Sequence, residues 1–168
     1  MRNGQLEETD GTWRLRFTRT LAHPPEKVWL ALTEADHLEA WFPTTIEGDL
    51  RAGAELRFNH RYRDLPTMKG EMITCEPPSV LEFRWGPDTL RFVLEPDSAG
   101  TRLTLTDTLE ELGKGARDGA GWHVCLDQLA IHLDGEEPAW TSAERWTEVH
   151  PAYVEAFGPE AAAIGPPE

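Results

Sequence analysis

Between Ala54 and Glu110 the chain runs through five successive short segments in which apolar and polar residues alternate. In AELRFNHRY, Leu56, Phe58, His60 and Tyr62 share one face, and Arg57, Asn59 and Arg61 the other. LEFRW, TLRFVLE and TRLTLTDTLE repeat the pattern, and GEMITCE does so less cleanly, as a bulge would make it. The turn signals EPPSV, GPD and PDSAG separate the last four. A period of two with one apolar face is a half-buried strand, and short turns between such strands make an antiparallel meander. TWRLRFTRTL, with Trp13, Leu15 and Phe17 on one face, adds an earlier strand and brings the sheet to six.

A sheet with one apolar face needs a cover. GWHVCLDQLAIHLDGE supplies it, because Trp122, Cys125, Leu126, Leu129 and Leu133 form a continuous helical stripe. Two short helices lie between the first two strands. Pro24 and Pro25 suit the first turn of one, whose face is Val28, Ala31, Leu32 and Ala35. The other is expected to start at Asp36, with Glu39 completing a capping box and Pro43 ending it. LGKGARDGAG reads as a flexible connection or hinge. After Gly135, a capping-box spacing at Thr141 and Glu144 opens a further helix that Pro151 should kink or divide. The expected organisation is an α+β domain over residues 12–134, a helical extension over 135–158, and frayed ends at 1–11 and 159–168.

The net charge is −14, which opposes nucleic-acid phosphates and anionic lipid, so neither is expected as a partner. No apolar run reaches the roughly 20 residues of a membrane span, and the first residues lack the apolar core of a signal peptide. Cys75 and Cys125 form no metal-ligand or disulfide pattern and read as buried free thiols of a cytoplasmic protein. The acidic chain after Asp134 would complement the basic cluster Arg51, Arg57, Arg61 and Arg63, or a second protomer.

Three segments resemble a known family. HPPEKVWLALTEADHLEAWFP contributes Pro24, Val28, Trp29, Ala31, Leu32, Thr33, Leu38 and Trp41. GEMITCEPPSVLEFRW contributes Gly70, Met72, Pro77, Pro78, Leu81, Phe83 and Trp85, and GAGWHVCLDQLAIHL contributes Gly121, Trp122, Leu126 and Leu129. In this order they are similar to START-like (SRPBCC) domains of the activator of heat-shock protein 90 ATPase homologue-like (AHSA-type) family. The resemblance implies a helix-grip fold, in which a curved six-stranded antiparallel sheet wraps a long C-terminal helix and leaves an elongated pocket. Members of the wider superfamily bind lipids, sterols and polyketides, and some are cyclases.

The sites follow from these readings. His123 and Asp127 share a helix face, but His132 points elsewhere and no metal framework exists, so no metal or cofactor is expected. There is no GxSxG elbow, and Cys125 on an apolar stripe is a poor nucleophile. Trp41, Phe42, Phe58, His60, Phe83, Trp85, Phe92, Trp122 and Leu126 are the expected wall of a cavity between sheet and long helix. The same periodicity more often describes a filled core, and the resemblance brings the pocket close to level with it. The expected function is binding of a small apolar or aromatic molecule without catalysis. A chaperone-associated interaction module and a cyclase- or dehydratase-like enzyme using His60 or His123 are the alternatives, and a homodimer is a candidate assembly.

Overall fold

The computed structural model describes residues 3–61 and 63–165; Tyr62, expected on the inner sheet face, lies outside them. The strands are β1 (Gln5–Thr9), β2 (Thr12–Leu21), β3 (Glu55–Phe58), β4 (Met68–Glu76), β5 (Val80–Trp85), β6 (Asp88–Asp97) and β7 (Gly100–Thr108). The helices are α1 (Pro25–Thr33), α2 (Ala35–Leu38), α3 (Gly115–Leu133) and α4 (Ser142–Phe157), with 3₁₀ turns at Leu112–Lys114 and Pro159–Ala162. All strands join one antiparallel sheet in the order β1-β2-β7-β6-β5-β4-β3.

The sheet therefore has seven strands rather than six. The additional strand, β1, lies in the stretch expected to be frayed. It pairs with β2 from Gln5↔Arg16 to Thr9↔Thr12. Its turn is Asp10-Gly11, with φ of 53° and 79°, the doubly positive geometry that asparagine or aspartate followed by glycine adopts in a two-residue hairpin.

The alternation of β2 and β5–β7 becomes burial. Leu15, Phe17, Phe83, Leu90, Phe92 and Leu105 are at most 1% exposed. Register aligns them into rows across the sheet, such as Met72↔Phe83↔Leu90↔Asp107 and Leu81↔Phe92↔Leu105↔Phe17. The expected bulge in β4 lies between Met72 and Thr74 and turns Ile73 outward. The inner alternation of β3 ends at Phe58; His60 forms only an isolated bridge with Thr44 and is half-buried.

Pro24 caps α1 and Pro25 occupies its first turn; Val28, Ala31 and Leu32 are buried, whereas Ala35 is exposed. The capping box at Asp36 does not form. Glu34 alone separates the two helices, so α2 already begins at Ala35, and Glu39 closes it instead of reaching back. The box at Thr141 does form, with Glu144 N–H donating to Thr141 Oγ1 at 3.2 Å and Thr141 N–H to Glu144 Oε2 at 2.9 Å.

The glycine-rich segment is helix rather than hinge. Gly115, Gly119 and Gly121 lie in the first turns of α3. A β-carbon on Gly119 would stand 3.0 Å from Tyr153 Cδ1 and 3.2 Å from Phe157 Cε2, so glycine here allows α4 to approach closely. Helix α4 packs on α3 rather than on the outer sheet face near the arginine cluster, and it continues through Pro151 as one element. Among the described residues, no helix is long and apolar enough to cross a membrane.

Candidate functional site

The inner face of β5 and β6, the turn after α2 and the middle of α3 place the expected aromatic residues together. Trp41, Phe42, Phe58, Phe83, Trp85, Phe92 and Trp122 form one connected cluster. Phe42 is at its centre, with ring centroids 5.2 Å from Trp41, 6.4 Å from Phe83, 5.8 Å from Trp85 and 5.7 Å from Trp122. Phe83 stacks between Phe58 and Phe92 at 5.7 and 6.3 Å, and Trp85 meets Trp122 at 5.4 Å. These are packing distances for aromatic pairs, and the rings fill the space beneath this part of α3. Leu126 is buried on the same helix, and His60 stands at the margin, partly exposed. Partial burial, reinforced by the Arg63 charge, lowers the pKa of His60 and favours its neutral form.

The indole nitrogens hold this cluster in place. Trp41 Nε1 donates to the Ala31 carbonyl at 2.8 Å, Trp85 Nε1 to Thr44 Oγ1 at 3.0 Å and Trp122 Nε1 to Asp107 Oδ2 at 2.9 Å. Arg61 secures the adjoining loop by donating to the carbonyls of Phe42 and Thr44, both at 3.0 Å.

An open space lies next to this cluster. A cavity of about 150 Å³ is lined by Leu32 and Thr33 of α1, by Ile46, Gly48 and Leu50, and by Met72, Leu81 and Phe83 of β4 and β5. Of the nine expected wall residues only Phe83 lines it, because the other aromatic rings pack on one another. Leu50, half-exposed, stands at its rim. The loop turns at Gly48, whose φ of 141° and 2.5 Å approach of a would-be β-carbon to the Glu55 carbonyl oxygen require glycine. Thr33 Oγ1 donates to the Trp29 carbonyl at 2.8 Å, so the hydroxyl is engaged by its own helix. The aliphatic and aromatic side chains of the lining can contact an apolar guest, and no cysteine, serine or histidine is among them.

His123 and Asp127 belong to a different, interior network. Gly4 N–H donates to Tyr153 Oη at 2.9 Å, and that hydroxyl lies 2.8 Å from His123 Nδ1. His123 Nε2 lies 3.4 Å from Asp127 Oδ2. Asp127 Oδ1 accepts from Arg19 at 2.8 Å, and Oδ2 accepts from Arg145 at 3.1 and 3.2 Å. Arg19, His123 and Asp127 are all buried, so this is an interior clamp rather than a shoulder pair facing solvent. His132 pairs elsewhere, with its Nε2 2.8 Å from His37 Nδ1. Burial pushes the Cys125 thiol up to about 12, which removes its nucleophilic form near neutrality.

Sequence reasoning missed Arg19, Asp107 and Tyr153 as functional or organising groups. A signal for two of them was present. Continuing the period of Leu15 and Phe17 reaches Arg19, and continuing Leu103 and Leu105 reaches Asp107. A charged residue on the inner parity of a strand marks a buried polar site.

Comparisons with known proteins agree with this architecture. The conserved protein of unknown function EF2215 from Enterococcus faecalis is 22% identical, with 90% of this chain and 88% of that chain covered and a TM-score of 0.74. CalU16 from Micromonospora echinospora is 22% identical over 94% of this chain and 97% of that chain, with a TM-score of 0.73. The protein encoded by gene BPP1335 from Bordetella parapertussis is 28% identical over 90% of each chain, with a TM-score of 0.67. The first two likenesses carry the fold alone. No functionally curated protein matches the chain in sequence. The family model described as activator of Hsp90 ATPase homolog 1-like protein matches residues 22–134, from the end of β2 to the end of α3, and the chain belongs to that family.

Proposed function

We propose that the protein binds a small apolar molecule in the cavity between α1, the 46–50 loop and strands β4 and β5, without chemical conversion. The cavity itself carries the reading, because the side chains around it are aliphatic or aromatic apart from Thr33. About 150 Å³ is the size at which an apolar protein cavity takes up a benzene-sized guest. The packed aromatic cluster borders the cavity at Phe83, so a larger ligand would have to part those rings. The fold family supports the reading, since a sheet gripped by a long helix commonly accommodates hydrophobic ligands. Neither His60 nor His123 lines the cavity, so an acid–base mechanism gains no support there. A chaperone-associated role rests on the family description alone. The acidic composition and unpaired thiols suit a cytoplasmic setting for this function.

The test is a titration with toluene or indole followed through the methyl resonances of Met72, Leu81 and Leu32. Saturable shifts confined to these residues are expected. Leu50→Trp, a change at the half-exposed rim, should fill the mouth and abolish them while the protein stays folded. Absence of saturable shifts, or shifts located elsewhere, would overturn the proposal.

A further inference from the structure

Three aspartates converge where β6 begins, β7 ends and α3 opens. Asp88, Asp107 and Asp118 each offer a carboxylate oxygen, all within 4.8 Å of one another. Asp88 and Asp107 are 3% and 0% exposed, and Asp118 is half-buried. Two cations face them. Lys114 Nζ donates to Asp88 Oδ1 at 2.7 Å, and Arg117 Nε donates to Asp118 Oδ1 at 2.8 Å. Glu110 N–H also donates to Asp88 Oδ1, at 3.0 Å, and Trp122 Nε1 donates to Asp107 Oδ2. Among the described residues, Asp107 Oδ1 has no hydrogen-bond partner, although it is fully buried.

The charges decide what belongs there. Fully ionised, the group carries three negative charges against two positive ones. The surplus falls on Asp107, which has no cation of its own. A lone buried carboxylate is so costly that such a group neutralises instead. A single proton balances the count, and it gives the orphan oxygen a hydrogen bond to make, with Asp88 next to it as acceptor. With Lys114 held on Asp88, a divalent cation would overshoot by one charge, and only displacement of that lysine would restore the balance.

We propose that Asp107 is a neutral carboxylic acid donating its proton to Asp88, so that the junction of β6, β7 and α3 is a proton-binding site. Burial and the Asp88 charge act in the same direction, pushing Asp107 well above the usual carboxylate range; the Trp122 N–H opposes them and Asp118 adds to them. Burial alone would lower the pKa of Lys114, but its hydrogen bond and charge contact with Asp88 outweigh that and raise it, so the lysine stays charged.

The site is joined to the aromatic cluster. Asp107 occupies the inner row Phe83↔Leu90↔Asp107, and its hydrogen-bonded indole, Trp122, packs on Phe42 and Trp85. Loss of the proton would leave an uncompensated charge beneath Trp122 and loosen that packing. Because the folded pKa is raised, the stabilisation is complete below the ordinary aspartate value and is lost as pH rises through the folded value. This inference does not depend on the ligand-binding reading.

Infrared difference spectroscopy of wild type against D107N tests it directly. A protonated-carboxyl C=O band is expected in wild type at neutral pH, absent in D107N and displaced in D88N. D107N, whose amide can replace the donated proton, should also lose the alkaline fall in stability. If D107N does not fold, ¹³Cγ-aspartate NMR of wild type serves instead, with one carboxyl resonance at a protonated shift near neutrality. No such band or resonance, or a band that D107N leaves in place, would overturn the proposal. So would calorimetric binding of one Ca²⁺, Mg²⁺ or Mn²⁺ at neutral pH that D107N abolishes, since the balancing charge would then be a metal ion.

Discussion

Tyr153 and His123 meet in the interior, where the phenol oxygen lies 2.8 Å from the imidazole Nδ1 and the rings pack edge to face. The Gly4 amide donates to the same oxygen, which leaves the hydroxyl proton for His123. One side chain thus ties the residue before β1, helix α3 and helix α4 together. Tyr153 is also the one buried residue of α4, so the helix is anchored at this point. Burial pushes its hydroxyl up to about 12, and it stays protonated as a donor.

Tyr153→Phe keeps the ring and removes the anchor's hydrogen bonds. It leaves the Gly4 amide and His123 without that partner, a loss of about 1–3 kcal/mol. Urea unfolding should show a lower midpoint with an unchanged slope.

Asp127 joins Arg19 of β2 to Arg145 of α4. Burial alone would raise its pKa, but the hydrogen bond and charge of Arg19, with help from His123 and Arg145, bring it below the usual value. A lowered folded value means stabilisation that is present above the ordinary carboxylate range and lost as pH falls through the folded value. Asp127→Ala should cost about 3–5 kcal/mol at neutral pH by leaving the Arg19 charge buried without this partner. The variant should also show a shallower acid limb when thermal melts are followed against pH.

Two glycines of α3 should respond oppositely to alanine. At Gly121 a β-carbon meets nothing within 4 Å, so G121A should stabilise the helix by about 0.5–1 kcal/mol. At Gly119 it meets the rings of Tyr153 and Phe157, so G119A should push α4 away and lower the melting temperature. Paired calorimetric scans of the two variants check both signs.

Gly48 gives a prediction specific to the cavity. Its positive φ and the nearby Glu55 carbonyl leave no room for a side chain. G48A should displace the loop that carries Leu50 and weaken uptake of an apolar probe more than it weakens the fold. Probe titration beside urea unfolding separates the two effects.

The strands were legible because a half-buried sheet imposes a period of two, and Leu15–Phe17 or Phe83–Trp85 display it without interruption. Strand β1 was hidden because Gln5–Thr9 has one apolar residue, Leu6, and its clearest signal was the Asp10-Gly11 turn. Gly119 resembled a loop residue because close helix packing and turns both select glycine. The cavity was the least legible feature. Packed rings and a pocket wall require the same residues on the same face, and only their mutual distances distinguish Phe42, Trp85 and Trp122 in contact from a lining around open space. Leu32, Met72 and Leu81 carried core periodicity, and nothing local shows that a gap lies between them.

A crystal of the protein held under xenon pressure tests the ligand-site account most directly, because xenon reports apolar cavities regardless of the natural ligand. The account predicts one xenon atom among Leu32, Met72, Leu81 and Phe83, absent in the Leu50→Trp variant. A crystal with no xenon there, or with xenon instead between Phe42, Trp85 and Trp122, would contradict it.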